Sequence, residues 1–253
     1  MDAKERQRRR KKKQRKRKRI LNFILLLFIS ALIYLFLFKT DVFTIKKIEI
    51  TGNKKLNKDT ILKASICTKG ENIFKINKNY CQNSINSLAY IKSVEIKRRL
   101  PSTLKIEVVE REEMAVIPYI GALVYIDDEG RILNIKEKEG ELEFPQIFGL
   151  DLVNLEIGDF LFEEDERKLD FLKTGKRNGS LKEMKYINFA KEENIMLELK
   201  NGTKVAFGPL ENAEYKLSFL VEILKDVEKK DLKVKQILMN KGDIPIIVVE
   251  EEQ

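Results

Sequence analysis

The residues of this chain that could do chemistry are mainly carboxylates. The 253-residue sequence contains no His, which is the commonest general base and metal ligand, and it contains only two cysteines. Asp127-Asp128-Glu129, followed by Gly130, has the composition of a cation-binding loop. An EF-hand calcium loop needs a bidentate Glu at its last position, where this sequence has Lys138. We therefore interpret the run as a solvated turn between two strands.

Two further motifs fit structural roles better than catalytic ones. The acidic run at 163–166 precedes a predicted helix, where carboxylates stabilise the positive end of the helix dipole. Asn201-Gly202 lies between two alternating runs, which predicts a hairpin turn and not a phosphate-binding loop. There is no Gly-x-Ser-x-Gly motif, and without His there is no Ser-His pair. The sequence therefore predicts no enzymatic activity, no cofactor, no metal and no small-molecule substrate.

The two cysteines, Cys67 and Cys81, are too few for a thiolate zinc site. They could form a disulfide if their compartment is oxidising, or they could be small buried hydrophobic residues. We expect them to be unpaired, with the disulfide as the open alternative.

One apolar stretch, Ile20–Phe38, determines how the remaining elements are positioned. As a helix, its nineteen uncharged residues span roughly 28 Å, close to the roughly 30 Å hydrocarbon core of a bilayer. Residues 1–19 carry thirteen Lys or Arg against two acids, which places this tail in the cytoplasm and the chain after Lys39 outside. The stretch is longer than the core of a cleaved signal peptide. We predict a basic cytoplasmic tail at 1–19 and an uncleaved single-pass anchor in the cell membrane at 20–38.

The charge of the chain is concentrated in this tail. The net charge of +9 includes +11 from residues 1–19, so residues 20–253 carry −2. The external part is therefore not basic enough to predict nucleic acid as a partner. The tail could itself be a nucleic-acid-binding arm, but topology and attraction to anionic headgroups explain a basic run beside a spanning helix. We expect the membrane, and no nucleic acid, as its partner.

The residues after the anchor predict two domains of an α+β protein. The first, at 42–111, has the order β-α-α-β-β of a small two-layer domain. Its predicted elements are a strand from Val42 to Ile50, helices capped by Asn57 and Asn77, and strands at 94–98 and 104–108 joined by Pro101-Ser102.

The second predicted domain, at 112–250, is a mainly antiparallel β domain with a docked C-terminal helix. We expect Val109 to Ala115 to connect the two domains, and 251–253 to form an acidic end. Its predicted strands lie near 123–125, 132–135, 186–187, 195–199, 205–207, 234–240 and 244–249, and its helices at 165–173 and 213–227.

Several motifs carry a resemblance to a known family. The run from Phe43 through Thr51-Gly52-Asn53 and Asn72-Ile73-Phe74 to Arg98–Val108 looks like a POTRA domain. One such domain directly after one N-terminal anchor resembles the bacterial cell-division family FtsQ/DivIB. The motif residues that the resemblance marks are Gly52, Gly70, Arg98, Pro101, Glu110 and Arg111. The family often has Pro where this chain has Glu113.

The resemblance continues through the second domain. The segments that are similar to the family are Tyr125–Leu133, the loop Phe144–Gly149, the hairpin Leu199–Gly208 and the helix start Tyr215-Lys216-Leu217. The resemblance implies a non-catalytic scaffold of the division complex, the divisome, at the septum. Such a scaffold links membrane-anchored partners of the FtsB/DivIC and FtsL types and helps regulate septal peptidoglycan synthesis.

Two other functions remain open from the sequence. A POTRA-containing accessory protein of export or membrane assembly usually carries repeated POTRA units and a membrane barrel, and the barrel pattern does not occur here. An enzyme anchored in the membrane and acting on the cell wall is the other alternative, although the sequence offers no catalytic set for it.

The last predicted strand is the best candidate for a partner-binding element. It is strongly apolar, and Pro245 fits an edge strand because it supplies no N–H donor. An edge strand can pair with an extended segment of a partner. The alternative, a strand internal to the sheet, stays open. In the family that this chain resembles, the C-terminal end of the second domain binds the partners, which implies a site at Ile244, Ile246, Ile247, Val248 and Val249.

Overall fold

The computed structural model describes residues 3–137, 142–163, 165–242 and 244–249, with the backbone alone for residues 3–14. The predicted acidic end at 251–253 lies outside the described residues. The helices are α1 Ala3–Lys39, α2 Lys58–Ser65, α3 Lys78–Asn86, α4 Glu166–Asn178 and α5 Ala213–Lys229. The strands are β1 Lys47–Thr51, β2 Ile91–Arg99, β3 Thr103–Glu110, β4 Ala115–Tyr119, β5 Ala122–Ile126, β6 Ile132–Glu137, β7 Gln146–Phe148, β8 Met184–Asn188, β9 Ile195–Leu199, β10 Lys204–Gly208, β11 Val234–Leu238 and β12 Ile246–Val249.

The N-terminal helix α1 continues from the basic tail through the apolar stretch without a break. Its segment Arg15–Lys39 is long and apolar enough to cross a membrane, and no other helix among the described residues is. Apolar side chains from Ile20 to Phe36 are exposed along it, as expected for a helix surrounded by lipid. The chain is therefore membrane-anchored, with the predicted span 20–38 inside this helix.

The first sheet has the strand order β1-β3-β2, and α2 and α3 lie between β1 and β2 in the chain. Asn57 caps α2 by accepting a hydrogen bond of 2.7 Å from the Thr60 N–H, and Asn77 accepts one from the Tyr80 N–H at the start of α3. The predicted β-α-α-β-β order is confirmed. Its core is rich in Ile and includes Ile45, Ile50, Ile61, Ile73, Ile85, Ile96, Leu104 and Ile106.

The predicted start of the first strand at Val42 is wrong. Residues Asp41–Phe43 form a 3-10 turn, and β1 begins at Lys47. The intervening residues pair with a loop instead of the sheet: Thr44 bridges Asn72, and the Ile45 N–H donates to the Glu71 carbonyl at 2.8 Å. The apolar alternation from Phe43 to Ile50 therefore covers two different pairings, one with the loop at 71–72 and one between β1 and β3.

The second sheet has nine strands in the order β12-β11-β10-β9-β8-β7-β4-β5-β6. The pairs β4–β5, β5–β6, β8–β9, β9–β10 and β11–β12 are antiparallel, whereas β4–β7, β7–β8 and β10–β11 are parallel. This confirms the mainly antiparallel β domain.

Both long helices after residue 165 pack on one face of this sheet. Leu172 of α4 and Leu217 and Leu220 of α5 are fully buried in the same core as Leu197 and Val205 of the sheet. This confirms the docked C-terminal helix. Helix α4 extends five residues beyond its predicted end and stops before Gly179, which has a φ of +86° and is suited to a helix C-terminus.

Two strands of the second sheet were not predicted. Strand β4 begins at Ala115, where we expected the connector between the domains to end, and β7 lies inside the segment 144–149, which we interpreted as a loop. The first three residues of β4 are buried on both faces, so they lack the polar alternation of a half-exposed strand. Strand β7 has only three residues and offers too short a pattern.

The contacts within the chain divide it into two compact units. The first comprises Met1–Ile85 with Ser93–Val109, and the second comprises Asn86–Lys92 with Glu110–Gln253. The domain boundaries at 42–111 and 112–250 stay predictions.

Candidate functional site

The candidate site is built on β12, which ends the nine-stranded sheet. It pairs with β11 in antiparallel register, with Ile247 opposite Ile237 and Ile246 opposite Leu238. Within the described part of the chain, no strand pairs with its other side. Its outer backbone groups are therefore placed to accept a partner strand.

The four side chains of β12 are exposed on both faces of the sheet. Their exposed fractions are 48% for Ile246, 40% for Ile247, 38% for Val248 and 47% for Val249. Ile247 shares its face with buried Ile237, the face that the helices cover, whereas Ile246 and Val248 lie on the opposite face. An added partner strand would meet apolar side chains on both of its faces.

The predicted strand boundary at Ile244 is wrong, because β12 begins two residues later. Ile244 lies in a bend, and Pro245 directly precedes the strand. Proline has no N–H group, so it cannot donate a ladder hydrogen bond to a neighbouring strand. Ile244 is nevertheless the most exposed of the five predicted residues, at 79%.

The start of helix α5 adds an aromatic surface beside β12. The rings of Tyr215 and Phe219 stack with centroids 6.0 Å apart and an interplanar angle of 10°. Both line a cavity of about 260 Å³ together with Met239 and Pro245. Because Tyr215 is exposed, this cavity offers a partner an apolar contact next to the edge strand.

Lys216 lies between Tyr215 and Phe219 in sequence, and its side chain contacts other parts of the same unit. Its ammonium donates to the Pro209 carbonyl at 2.8 Å and lies 5.2 Å from the ring centroid of Phe207. Burial lowers the pKa of Lys216. The lysine therefore holds the β10–α5 connection.

Sequence reasoning missed Tyr215 and Phe219 as site residues. They lie four residues apart on α5, where Tyr215 is exposed and Phe219 is partly buried against the core that includes Leu217 and Leu220. Two aromatic residues at this helical spacing were the available signal.

Gly52 and Arg98, which we predicted as POTRA motif residues, make contacts that stabilise the first unit. Gly52 has a φ of +90°, and a Cβ there would lie 2.0 Å from the carbonyl oxygen of Val108. Arg98 donates from Nε to the Ile73 carbonyl at 2.7 Å and from Nη2 to the Ile76 carbonyl at 2.8 Å. Both residues serve the fold of this unit.

The remaining motif residues also have structural positions. Gly70 has a φ of +93°, and its N–H donates to the Ile45 carbonyl at 3.0 Å. Pro101 lies in the turn between β2 and β3, and Glu110 is the last residue of β3. Their assignment as family motif residues stays a prediction.

Arg111 forms an ion-pair cluster with the carboxylates that resembled a cation loop. Its Nη1 contacts Asp127 Oδ2 and Glu129 Oε2, each at 2.6 Å. The fully buried Asp127 also accepts hydrogen bonds from the N–H groups of Glu129 and Arg131, at 2.9 and 2.8 Å. The hydrogen bond from Arg111, and then that from Lys92, lowers the pKa of Glu129. These carboxylates thus form a turn whose charge is matched by arginine and lysine.

Other candidate residues also have structural roles. Asp165 of the acidic run caps α4 by accepting from the Arg167 N–H at 3.2 Å, while Glu164 lies outside the described residues. Cys67 and Cys81 are free and buried, as expected, and burial and the neighbouring Cys81 raise the pKa of Cys67 to about 12. Among the described residues, no three His, Cys, Asp or Glu side chains are grouped as a metal site.

Comparison with known proteins identifies relatives of this chain. The family model for the POTRA domain, FtsQ-type, matches residues 43–111. The cell division protein DivIB of Clostridium tetani is 31% identical over 209 residues, which cover 81% of this chain and 78% of that protein. DivIB of Clostridium botulinum strain Hall is 28% identical over 235 residues, or 90% of each chain. The cell division protein FtsQ of Syntrophotalea carbinolica is 30% identical over 115 residues, 46% of this chain and 40% of that one.

Proposed function

Because the chain belongs to the DivIB/FtsQ family of cell-division proteins, we propose that it is a non-catalytic scaffold of the division complex. In this role it holds membrane-anchored partners at the septum and helps regulate septal peptidoglycan synthesis. Its N-terminus lies in the cytoplasm and the chain after α1 lies outside the cell, in agreement with the thirteen basic residues before the span.

The observation that carries this proposal is the exposed apolar edge strand β12. Ile246 and Val248 present side chains on one face of the strand, and Ile247 presents its side chain on the other. Strand addition at such an edge supplies main-chain hydrogen bonds for affinity and side-chain contacts for specificity. The partner segments are extended stretches from the external parts of membrane-anchored proteins of the FtsB/DivIC and FtsL types.

The test replaces Ile246 and Val248 together by lysine in the full chain and measures binding of the two partners in a pull-down. Charged side chains at the centre of an apolar contact cost at least about 2 kcal/mol, a roughly 30-fold loss of affinity. Both positions are exposed, so the circular dichroism spectrum should not change. Unchanged binding would refute the edge assignment.

A matched control adds the same charge elsewhere on the same unit. Val153 and Ile157 are exposed apolar residues between β7 and α4, at 76% and 55%. Their joint replacement by lysine should leave partner binding unchanged. An equal loss in the control and the β12 variant would mean that the added charge acts non-specifically.

The septal role is tested in cells. Depletion of the protein should give filamentous cells, and a tagged copy should concentrate at mid-cell. Normal septation together with a dispersed signal would contradict the division role, whatever the pull-down shows.

A further inference from the structure

The outer end of α1 is joined to the first unit by aromatic contacts. Phe38 lies 6.2 Å from Phe74 between ring centroids, and Phe36 lies 5.6 Å from Phe43 in an edge-to-face arrangement. Phe43 and Phe74 also contact each other at 5.1 Å. The end of the apolar helix therefore packs directly on the folded unit that follows it.

A polar contact reinforces this joint. Asn72 donates from Nδ2 to the Leu37 carbonyl at 2.7 Å. The last carbonyls of a helix have no partner within the helix, so this side chain satisfies one of them where water becomes scarce near the bilayer. Asn72 is itself fixed, because its Oδ1 accepts from the Phe74 N–H at 2.9 Å.

The depth of these residues follows from the span. The apolar stretch ends at Phe38, so side chains within one ring contact of Phe36 and Phe38 lie at the level of the headgroups. Aromatic residues are enriched at this level of a membrane. Phe43 and Phe74 thus belong to the interface although they are part of the folded unit.

The sheet register brings a further apolar residue to the same end of the unit. Strands β1 and β3 are parallel, with Lys47 opposite Thr103, so the turn before β3 lies beside the residues that leave the membrane. The Lys46 N–H donates to the Ser102 carbonyl in this turn at 2.9 Å. Leu100 in the turn is 59% exposed, so an apolar side chain is available at this end of the unit.

We infer that Val42, Phe43, Phe74 and Leu100 form a membrane-contact face that rests on the phospholipid headgroups of the bilayer that α1 spans. The folded part of the first unit then has one fixed orientation relative to the membrane. The exposed lysines Lys39, Lys46 and Lys75 flank these residues in sequence and suit a phosphate-rich surface. This inference depends on the membrane anchor alone and not on partner binding at β12.

The chain contains no Trp, so one introduced Trp reports from one position. Leu100→Trp is made in the full chain and reconstituted into vesicles of brominated phosphatidylcholine, whose bromines quench nearby indoles. The control is Val109→Trp, an exposed position at the opposite end of β3, roughly 20 Å away at 3.3 Å per residue.

We expect at least a two-fold loss of Leu100→Trp emission in the brominated vesicles, with a blue shift, and no loss for Val109→Trp. Equal quenching of the two positions, or none of either, would overturn the inference. Adding Asn72→Leu to Leu100→Trp removes the contact to Leu37 and should reduce the quenching, while the helix stays inserted. If quenching is unchanged in this double variant, the contact between Asn72 and Leu37 does not orient the unit, and the inferred fixed orientation is wrong.

Discussion

Replacing Arg111 by methionine should destabilise the second unit strongly. The Arg111 side chain is 8% exposed and that of its partner Asp127 is fully buried, so the substitution leaves a buried carboxylate without its ion pair. Breaking a buried pair from one side costs about 3–5 kcal/mol. Two backbone N–H groups, of Glu129 and Arg131, still donate to this carboxylate, so we expect the lower value of about 3 kcal/mol.

Hydrogen exchange measured by mass spectrometry on the full chain in lipid nanodiscs can detect this loss. Peptides from 122–137 cover β5, the turn at Asp127 and β6. A loss of about 3 kcal/mol corresponds to roughly 160-fold faster exchange there. Adding Asp127→Asn removes the stranded charge and should recover part of the protection.

The control is Arg167→Met, which removes an arginine of similar contacts but different burial. Arg167 lies 3.0 Å from Asp165 and its side chain is 60% exposed. An exposed pair is screened by solvent and contributes little to stability, so exchange should change by roughly five-fold or less. If Arg111→Met gives the same small change as this control, the buried pair does not stabilise the unit and the reasoning is wrong.

Two more predictions concern a glycine and a carboxylate. Gly52→Ala should cost about 3 kcal/mol in the free energy of unfolding, from positive-φ strain plus overpacking against Val108, whereas Gly70→Ala has open space and should cost only about 1–2 kcal/mol; equal losses in urea unfolding would contradict the steric argument. The hydrogen bond with Arg111 lowers the pKa of Glu129, so its contribution to stability is fully present above the ordinary pKa of 4.5 and is lost as the pH falls from there through the lowered pKa of the folded state. Glu129→Gln should therefore cost about 0.5–1 kcal/mol at neutral pH, because solvent screens this partly exposed pair, and the cost should shrink as the pH falls below 4.5 in thermal unfolding; a pH-independent cost would disprove the ion pair.

The sequence predicted the elements that have an apolar side facing the core and a polar side facing water. The hairpin strands β2 and β3 and the helix α5 each have one polar and one apolar side, which makes their period visible. Strand β4 lacked this contrast, since Ala115 to Ile117 are buried on both faces. The start of β1 was misjudged because Phe43 and Ile45 continue the alternation while they pair with a loop.

The candidate site, too, was predicted only in part. The apolar character of β12 is visible in the sequence, and the predicted position at an edge agrees with the strand order. The contribution of Tyr215 and Phe219 was not predicted, because it depends on where the start of α5 lies relative to Pro245. Packing between elements that are distant in sequence leaves no periodic signal in either of them.

The two ends of the nine-stranded sheet are not equivalent, and this difference decides which of them is suited to a partner. At β6, the Ile132 N–H donates to the Asp159 carbonyl at 2.8 Å, and its carbonyl accepts from the Gly158 N–H at 2.9 Å. That strand also ends in exposed Lys136 and Glu137, which disfavour strand addition. Within the described residues, β12 has neither protection: its four residues are apolar and no loop pairs with its outer side. Natural proteins protect those edge strands that must not pair with another chain. An apolar edge left open at one end of a sheet whose other end is protected therefore supports the proposed addition of a partner strand at β12.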